Sequence, residues 1–345
     1  MATKIYIEPH TKISYACYYI QGFYEIFGRE NVRFASRFFR ELDRKGDPWS
    51  FDSYMPVVMV RHNLIYKIII DFGDDTPIRN NAYRWCDVYA KINYSPEKTT
   101  AEDQSKILVI APGFGIKTWN LREIVFYSLS NLFKTKFDLG IPVQKYFREY
   151  LSQVKAKRLE EFTQTDRKAS SDYIFLISTL WSHQNCLEGT NLYRKIFMEN
   201  AKKSGVTFEG GFFLLDQNHP QYNDFKTLIY KSRIPLSEYM GKTKQSLLVF
   251  NTPAVHNCHG WKLGQFLAMG KAIISTPLQN ALPQELMHGE HIHFIHNEEQ
   301  MRDAMQLLIH DKIYREHLEG SAREYFHNYG RPSAVIKQIV GSISQ

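Results

Sequence analysis

The sequence predicts an α/β protein made of two strand-and-helix halves in series. Three observations carry this. A chain of 345 residues is long for one core and points to about two domains. Short apolar runs alternate with helical patterns, as in a parallel sheet covered by helices on both faces. The alternation pauses at a polar stretch, Lys155–Ser171, and restarts at Tyr173.

In the first half, strands are expected at Lys4–Glu8, Val32–Ala35, Met55–Val60, Tyr66–Asp71, Asp87–Ile92 and Lys106–Ile110. Helical patterns cover Tyr15–Phe27 and Leu121–Leu132. The polar stretch is rich in helix formers and reads as a helical connector. In the second half, strands are expected at Tyr173–Ile177, Thr207–Leu215, Thr227–Lys231, Ser246–Phe250 and Ala272–Ile274, with helices over Asn191–Ser204 and Gln300–His310. This divides the chain into residues 1–155, a connector 156–171, residues 172–330, and a C-terminal helix 331–345. Pro332 opens that helix, and Val335, Ile336, Ile339 and Val340 give it an apolar stripe. Its one charge after Arg331 is Lys337, which favours packing over a membrane-surface role.

Composition excludes several classes. An apolar share of 43% suits a soluble globular protein, and no run approaches the roughly 20 apolar residues of a membrane span. The N-terminus begins with a strand and lacks a signal peptide's apolar core. Cys17, Cys86, Cys186 and Cys258 form no CxxC pair and read as reduced thiols, so a cytoplasmic protein is expected. The net charge of +7 comes without a long basic tail. It suits phosphate-bearing ligands or peripheral contact with an anionic membrane, and no motif that reads nucleic acid accompanies it.

The most informative stretch is Asn257–Pro277. His259-Gly260 sits where a loop turns into a helix, Leu263, Phe266, Leu267 and Met269 give that helix an apolar face, and Ala272–Ile274 reads as a buried strand. A glycine at a helix start lets backbone N–H groups approach an anion, and the helix end adds roughly half a positive charge. Lys262 adds a full one. Gly260, Trp261 and Lys262 are therefore candidates for binding a diphosphate, against a plain turn with a core tryptophan.

The stretch resembles the donor-binding segment of GT-B-fold glycosyltransferases of the bacterial surface-polysaccharide, group 1 type. Gly260, Ala268, Met269 and Gly270 match that frame; its two acidic positions fall on Asn257 and Gln265. The resemblance implies two Rossmann-like domains facing a central cleft, with the last helix packing back across them. It implies transfer of a sugar from a nucleotide-sugar donor to a hydroxyl of a glycan or lipid-linked acceptor, with no metal or other cofactor required. Asn257 and Gln265 can still hydrogen-bond hydroxyls, but neither supplies negative potential to a cationic transition state. The stereochemical outcome therefore stays open. So do two other readings, a GT-B-type nucleotide-sugar epimerase and a non-catalytic sugar-nucleotide-binding partner.

Ligands of a doubly wound sheet sit at the carboxyl ends of its strands. That rule selects Ser178, Thr179 and Trp181 after the first strand of the second half, for phosphate and donor. It also selects Arg233, Ile234 and Pro235, where the resemblance implies contact with the base, and His259 in the opening stretch. In the first half it selects His10, a base candidate if its pKa lies near neutral, and Asp74 in the Asp71–Asp75 turn as the second base candidate. Pro112–Gly115 carries an incomplete dinucleotide fingerprint, with Thr118 where a third glycine would stand, and reads as a ligand-facing wall. His288, His291, His293 and His296 match no common zinc spacing and suit a half-exposed strand.

Overall fold

The computed structural model describes residues 3–44, 46–47, 49–99, 104–136, 138, 140–164, 170, 172–216 and 218–343. Part of the expected connector, residues 165–169 and 171, lies outside them. The chain divides into two compact units. The first comprises Met1–Leu159, Ala281–Pro283 and Asn328–Gln345; the second comprises Glu160–Asn280 and Gln284–His327.

The first unit holds a six-stranded sheet. Its strands are β1 (Lys4–Ile7), β2 (Val32–Phe34), β3 (Tyr54–Arg61), β4 (Leu64–Asp71), β5 (Val88–Lys91) and β6 (Ile107–Val109), in the order β2-β1-β3-β4-β5-β6. Its helices are α1 (Ile13–Phe27), α2 (Ser50–Ser53), α3 (Asn80–Trp85), α4 (Leu121–Lys134) and α5 (Val143–Lys155). The expectation of a purely parallel sheet needs correcting here, because β3 runs antiparallel to both β1 and β4. The cause is local. His62 and Asn63 both take positive φ, 50° and 66°, as a tight two-residue hairpin requires. The five residues between the two expected strands were in any case too few for a parallel crossover. Ile68, Ile69 and Ile70 of β4 are fully buried, as befits a strand with both faces covered.

The short helix α6 (Leu159–Thr163) leads out of the first unit. The second unit contains β7 (Tyr173–Leu180), α7 (Asn191–Lys203), β8 (Thr207–Leu214), α8 (Tyr222–Phe225), α9 (Leu236–Gln245), β9 (Val249–Asn251), α10 (Trp261–Ala268), β10 (Ile273–Ser275), β11 (His293–Phe294), α11 (Glu298–His310) and α12 (Lys312–Tyr325). β7 pairs in parallel with β8, and β10 in parallel with both β9 and β11. The two sets join where the Leu247 N–H donates to Tyr173 C=O at 2.7 Å and the Phe175 N–H donates to Ser246 Oγ at 2.9 Å. On the far side of β8, Ile229 makes a parallel bridge with Phe212. The expected strand Thr227–Lys231 shrinks to that bridge after a 3₁₀ turn at Lys226–Leu228. Counted within the unit, the strand order is 3-2-1-4-5-6, the doubly wound order that binds nucleotides where it reverses.

The C-terminal helix α13 (Pro332–Ile343) belongs to the first unit. It lies so close on α1 that a Cβ at Gly22 would meet Pro332 O at 2.4 Å. The Tyr18 hydroxyl donates to Gly330 O and Gln338 Nε2 donates to Val109 O, at 2.5 and 3.0 Å. Among the described residues no helix is long and apolar enough to cross a membrane.

Candidate functional site

In the second unit the reversal of strand order falls between β7 and β9, so the site to build is the meeting of the loops that follow them. Asn185, after β7, donates to Ala254 O at 2.8 Å and to Asn257 Oδ1 at 3.0 Å. Thr190 Oγ1 donates to Pro253 O at 2.9 Å. Rings of His183 and His256 lie 4.2 Å apart, edge to face. His256 and Asn257 both take positive φ, 53° and 60°. Two consecutive non-glycine residues in the left-handed region are strained, and such strain persists only where surrounding bonds impose it. Asn280 supplies part of that hold, donating to Asn257 O at 3.1 Å while its own C=O meets His259 Nε2 at 3.0 Å.

Gly260 ends this loop as the N-cap of α10. Its φ is −72°, so the conformation does not need glycine, and a Cβ built there would meet nothing nearer than Ala254 Cβ at 3.8 Å. The backbone there has local room for a substituent. Lys262, in the first turn, sends Nζ to Ile177 C=O across the reversal point. Burial, and then the neighbouring Arg194 charge, push its pKa down to about 7. Trp261 is half-buried beside it, and Gln265 is buried on the inner side of α10.

Arg194 is the residue that sequence reasoning missed. It projects from α7, is 7% exposed, and joins both strand ends: Nη1 donates to Thr179 O at 3.0 Å and Nε to Thr252 Oγ1 at 3.1 Å. Burial pushes its pKa down to about 10. Among the described residues no carboxylate pairs with Arg194 or Lys262. A signal for Arg194 existed. It stands in helical register with Phe197, Met198 and Ala201, all buried, so a full charge sits on an apolar face.

The other expected positions are placed unevenly. Ser178 and Thr179 lie inside β7, which runs on to Leu180, opposite Phe212 and Phe213 of β8. They are therefore not loop residues with free N–H groups. Ser178 is buried; the Trp181 backbone is held by Asn191, through bonds of 3.4 Å to its N–H and 2.8 Å to its C=O. Arg233, Ile234 and Pro235 follow the Ile229 bridge, two strand places from β7, and Arg233 is exposed.

In the first unit, His10 follows β1 with its ring 4.8 Å from Phe51. Burial, reinforced by the charges of Arg44 and Lys145 against an opposing pull from Asp138, holds its pKa down to about 3. The expectation of a near-neutral base is not met there. In the turn after β4, Asp71 is buried and accepts from Lys91 at 3.0 Å, Tyr89 at 2.5 Å and the Gly73 N–H at 2.9 Å. Asp75 pairs with Arg79 at 2.8 Å, and Asp74 is exposed. Pro112 and Gly113 are buried rather than ligand-facing, and a Cβ at Gly113 would strike the Tyr18 ring at 2.8 Å. Among the described residues no group of three or more His, Cys, Asp or Glu is gathered to hold a metal. His288 and His291 instead accept from the backbone N–H groups of Phe294 and Met287.

No family model and no curated protein matches the chain. Solved structures do. TarM matches at 9% identity and a TM-score of 0.45, over 78% of this chain and 47% of that one, so the chain spans about half the length of TarM. WaaG, a glycosyltransferase involved in lipopolysaccharide biosynthesis, matches at 13% identity and a TM-score of 0.35, over 76% and 82% of the two chains. The C-terminal domain of the group 1 family glycosyl transferase LpcC from Francisella tularensis matches at 15% identity and a TM-score of 0.35, over 50% of this chain and 93% of that one. TarM from S. aureus has also been solved with UDP bound. The likeness is one of fold; the functional argument stands on the site itself.

Proposed function

We propose that the second unit binds the diphosphate of a nucleotide sugar and that the protein is a glycosyltransferase acting on a hydroxyl of a glycan or lipid-linked acceptor. One observation carries this reading. Buried Arg194 and half-buried Lys262 stand at the reversal of a doubly wound sheet and bond only to neutral oxygens. Buried charge without a counter-charge is costly, and an arriving diphosphate supplies what is missing. Glycosyl transfer puts that charge to use. As the bond from the anomeric carbon to the phosphate oxygen breaks, negative charge grows on the leaving diphosphate. Lys262, Arg194 and the start of α10 are preorganised to hold it. The sugar half of the reading is supported by the Gly260–Gly270 frame. The acceptor hydroxyl gives up its proton as the new bond forms. Asp74 and His10 stay the two base candidates, and the pKa of about 3 makes His10 a weak base.

A second reading has its own support. The Asn257 side chain is already engaged by Asn185, and its position carries no charge. That suits a partner that binds a sugar nucleotide without turning it over. Calorimetry and thermal shift with uridine, guanosine, thymidine and cytidine diphosphate sugars test the first claim, uridine first because TarM was solved with UDP. One nucleotide should bind to the native chain and bind at least about tenfold more weakly to Lys262→Met. Equal binding by the two would overturn the site. Release of nucleoside diphosphate only when acceptor is added separates transferase from silent binder; turnover with no acceptor would mark an epimerase.

A further inference from the structure

A single amide sets the chemistry where the loops after β7 and β9 meet. Asn185 donates to Ala254 O at 2.8 Å and to Asn257 Oδ1 at 3.0 Å. A backbone carbonyl can only accept, so the amide nitrogen of Asn185 must face Ala254 and its Oδ1 must face the other way. There Oδ1 meets His183 Nδ1. An oxygen acceptor against a ring nitrogen needs a proton between them, so His183 carries its hydrogen on Nδ1. In the neutral ring Nε2 is then a lone pair, an acceptor of fixed direction.

The surroundings hold that acceptor in place. The His183 ring is half-buried and packs edge to face on His256. His256 is kept there by its left-handed backbone, inside a loop closed by the Asn257 N–H to Ala254 O and the Cys258 N–H to Val255 O, both at 3.0 Å. Strain of this kind clusters at active sites and ligand clamps. Asn257 Oδ1 already accepts from Asn185, which leaves amide N–H groups of Asn257 to donate. The loop runs directly into Gly260 and α10, so a sugar joined to a diphosphate at that helix start comes next to it. A sugar hydroxyl both donates and accepts. An imidazole lone pair near an amide N–H, with no carboxylate among His183, Asn185, His256 and Asn257, suits an uncharged hydroxyl.

We propose that His183 Nε2 accepts a hydroxyl of the donor sugar, with Asn185 fixing its tautomer and His256 its orientation. This rests on the nucleotide-sugar reading above, and the test separates the two. Calorimetry on the full chain compares uridine diphosphate with its glucose, galactose and N-acetylglucosamine esters, and guanosine diphosphate with its mannose ester. Within each pair the ratio of dissociation constants isolates the sugar. For at least one pair that binds, His183→Phe, which keeps a ring against His256, should worsen the ratio about five- to tenfold, as when one hydrogen bond is lost. The bare diphosphate should keep its affinity within about twofold. His183→Gln, whose Oε1 can reach the place of Nε2, should recover most of the ratio. Lys262→Met should instead weaken both members of a pair alike. A ratio that His183→Phe leaves unchanged overturns the proposal while the nucleotide site stands. So does an equal loss for the bare diphosphate, the mark of a loop that has only lost its shape. A native chain that binds no member of any pair overturns the nucleotide reading, and this proposal with it.

Discussion

The carboxyl strand ends of the two units handle buried charge in opposite ways. At those ends of the first unit, among the described residues, Lys91, Arg44, Lys12 and Lys145 each have an acid. Lys91 meets Asp71 at 3.0 Å with both side chains essentially inaccessible, Arg44 meets Glu8, and Asp52 lies between Lys12 at 3.2 Å and Lys145 at 2.7 Å. In the second unit Arg194 and Lys262 find only carbonyls and a hydroxyl. The first set is neutralised by folding. On the reading proposed above, the second is neutralised by a ligand. Carbonyl partners alone do not mark such a site, since Lys271, buried just before β10, donates to Lys244 O and Ser246 O.

The sharpest way to break the comparison is to unbalance the balanced side. Asp71→Asn should leave Lys91 buried without its acid and lower stability by about 3–5 kcal/mol, read from urea unfolding. Adding Lys91→Met should recover much of the loss, because the cost lies in the orphaned charge rather than in the missing bond. The second unit should behave in reverse. Arg194→Met removes a charge that already lacks a partner, so the melting temperature should hold or rise. Nucleoside-diphosphate affinity should fall roughly ten- to hundredfold, as when a charge-assisted bond is lost. A large destabilisation by Arg194→Met would show the cation to be structural and erase the contrast.

A third effect follows from the sign of the Lys262 shift. Its pKa of about 7 in the free protein rises when a diphosphate replaces Ile177 O as its partner, so binding takes up a proton. Affinity should therefore weaken as pH climbs above 7, by up to about tenfold per unit until the bound-state pKa is reached. Calorimetry in two buffers of different ionisation enthalpy reads the proton directly, and Lys262→Met should abolish the slope. The unliganded fold moves the other way. A lysine whose pKa is depressed in the folded state costs stability in full below about pH 7, and that cost is relieved as pH rises toward its unfolded value.

Much of this was legible from residue patterns, and what was missed has physical causes. Strand and helix positions followed apolar periodicity, and the helix start at Gly260–Trp261 followed from the loop before it. Periodicity does not encode direction, so the reversed β3 was hidden, although the five-residue gap at 61–65 could only be a hairpin. Ser178 and Thr179 were misplaced because β7 continues through polar residues, which a search for an apolar run stops at. His10 was judged by type, whereas its pKa is set by Arg44 and Lys145, far away in sequence. Arg194 needed the opposite habit, asking why a charge lay on a buried helix face.

The smallest effect separates backbone need from ligand need at Gly260. Elsewhere glycine is demanded by the chain itself: Gly22 and Gly113 have no room for a Cβ, with neighbours at 2.4 and 2.8 Å. Gly260 has ordinary φ and 3.8 Å of clearance. Gly260→Ala should therefore cost no more than about 1 kcal/mol, the ordinary penalty of alanine against glycine at a helix N-cap. If a phosphate approaches the backbone at the start of α10, the added methyl also intrudes on the ligand, and affinity should drop several-fold, more than that small loss of stability explains. Unchanged affinity would move the phosphate away from the start of α10 and leave Arg194 and Lys262 to hold it from the strand side.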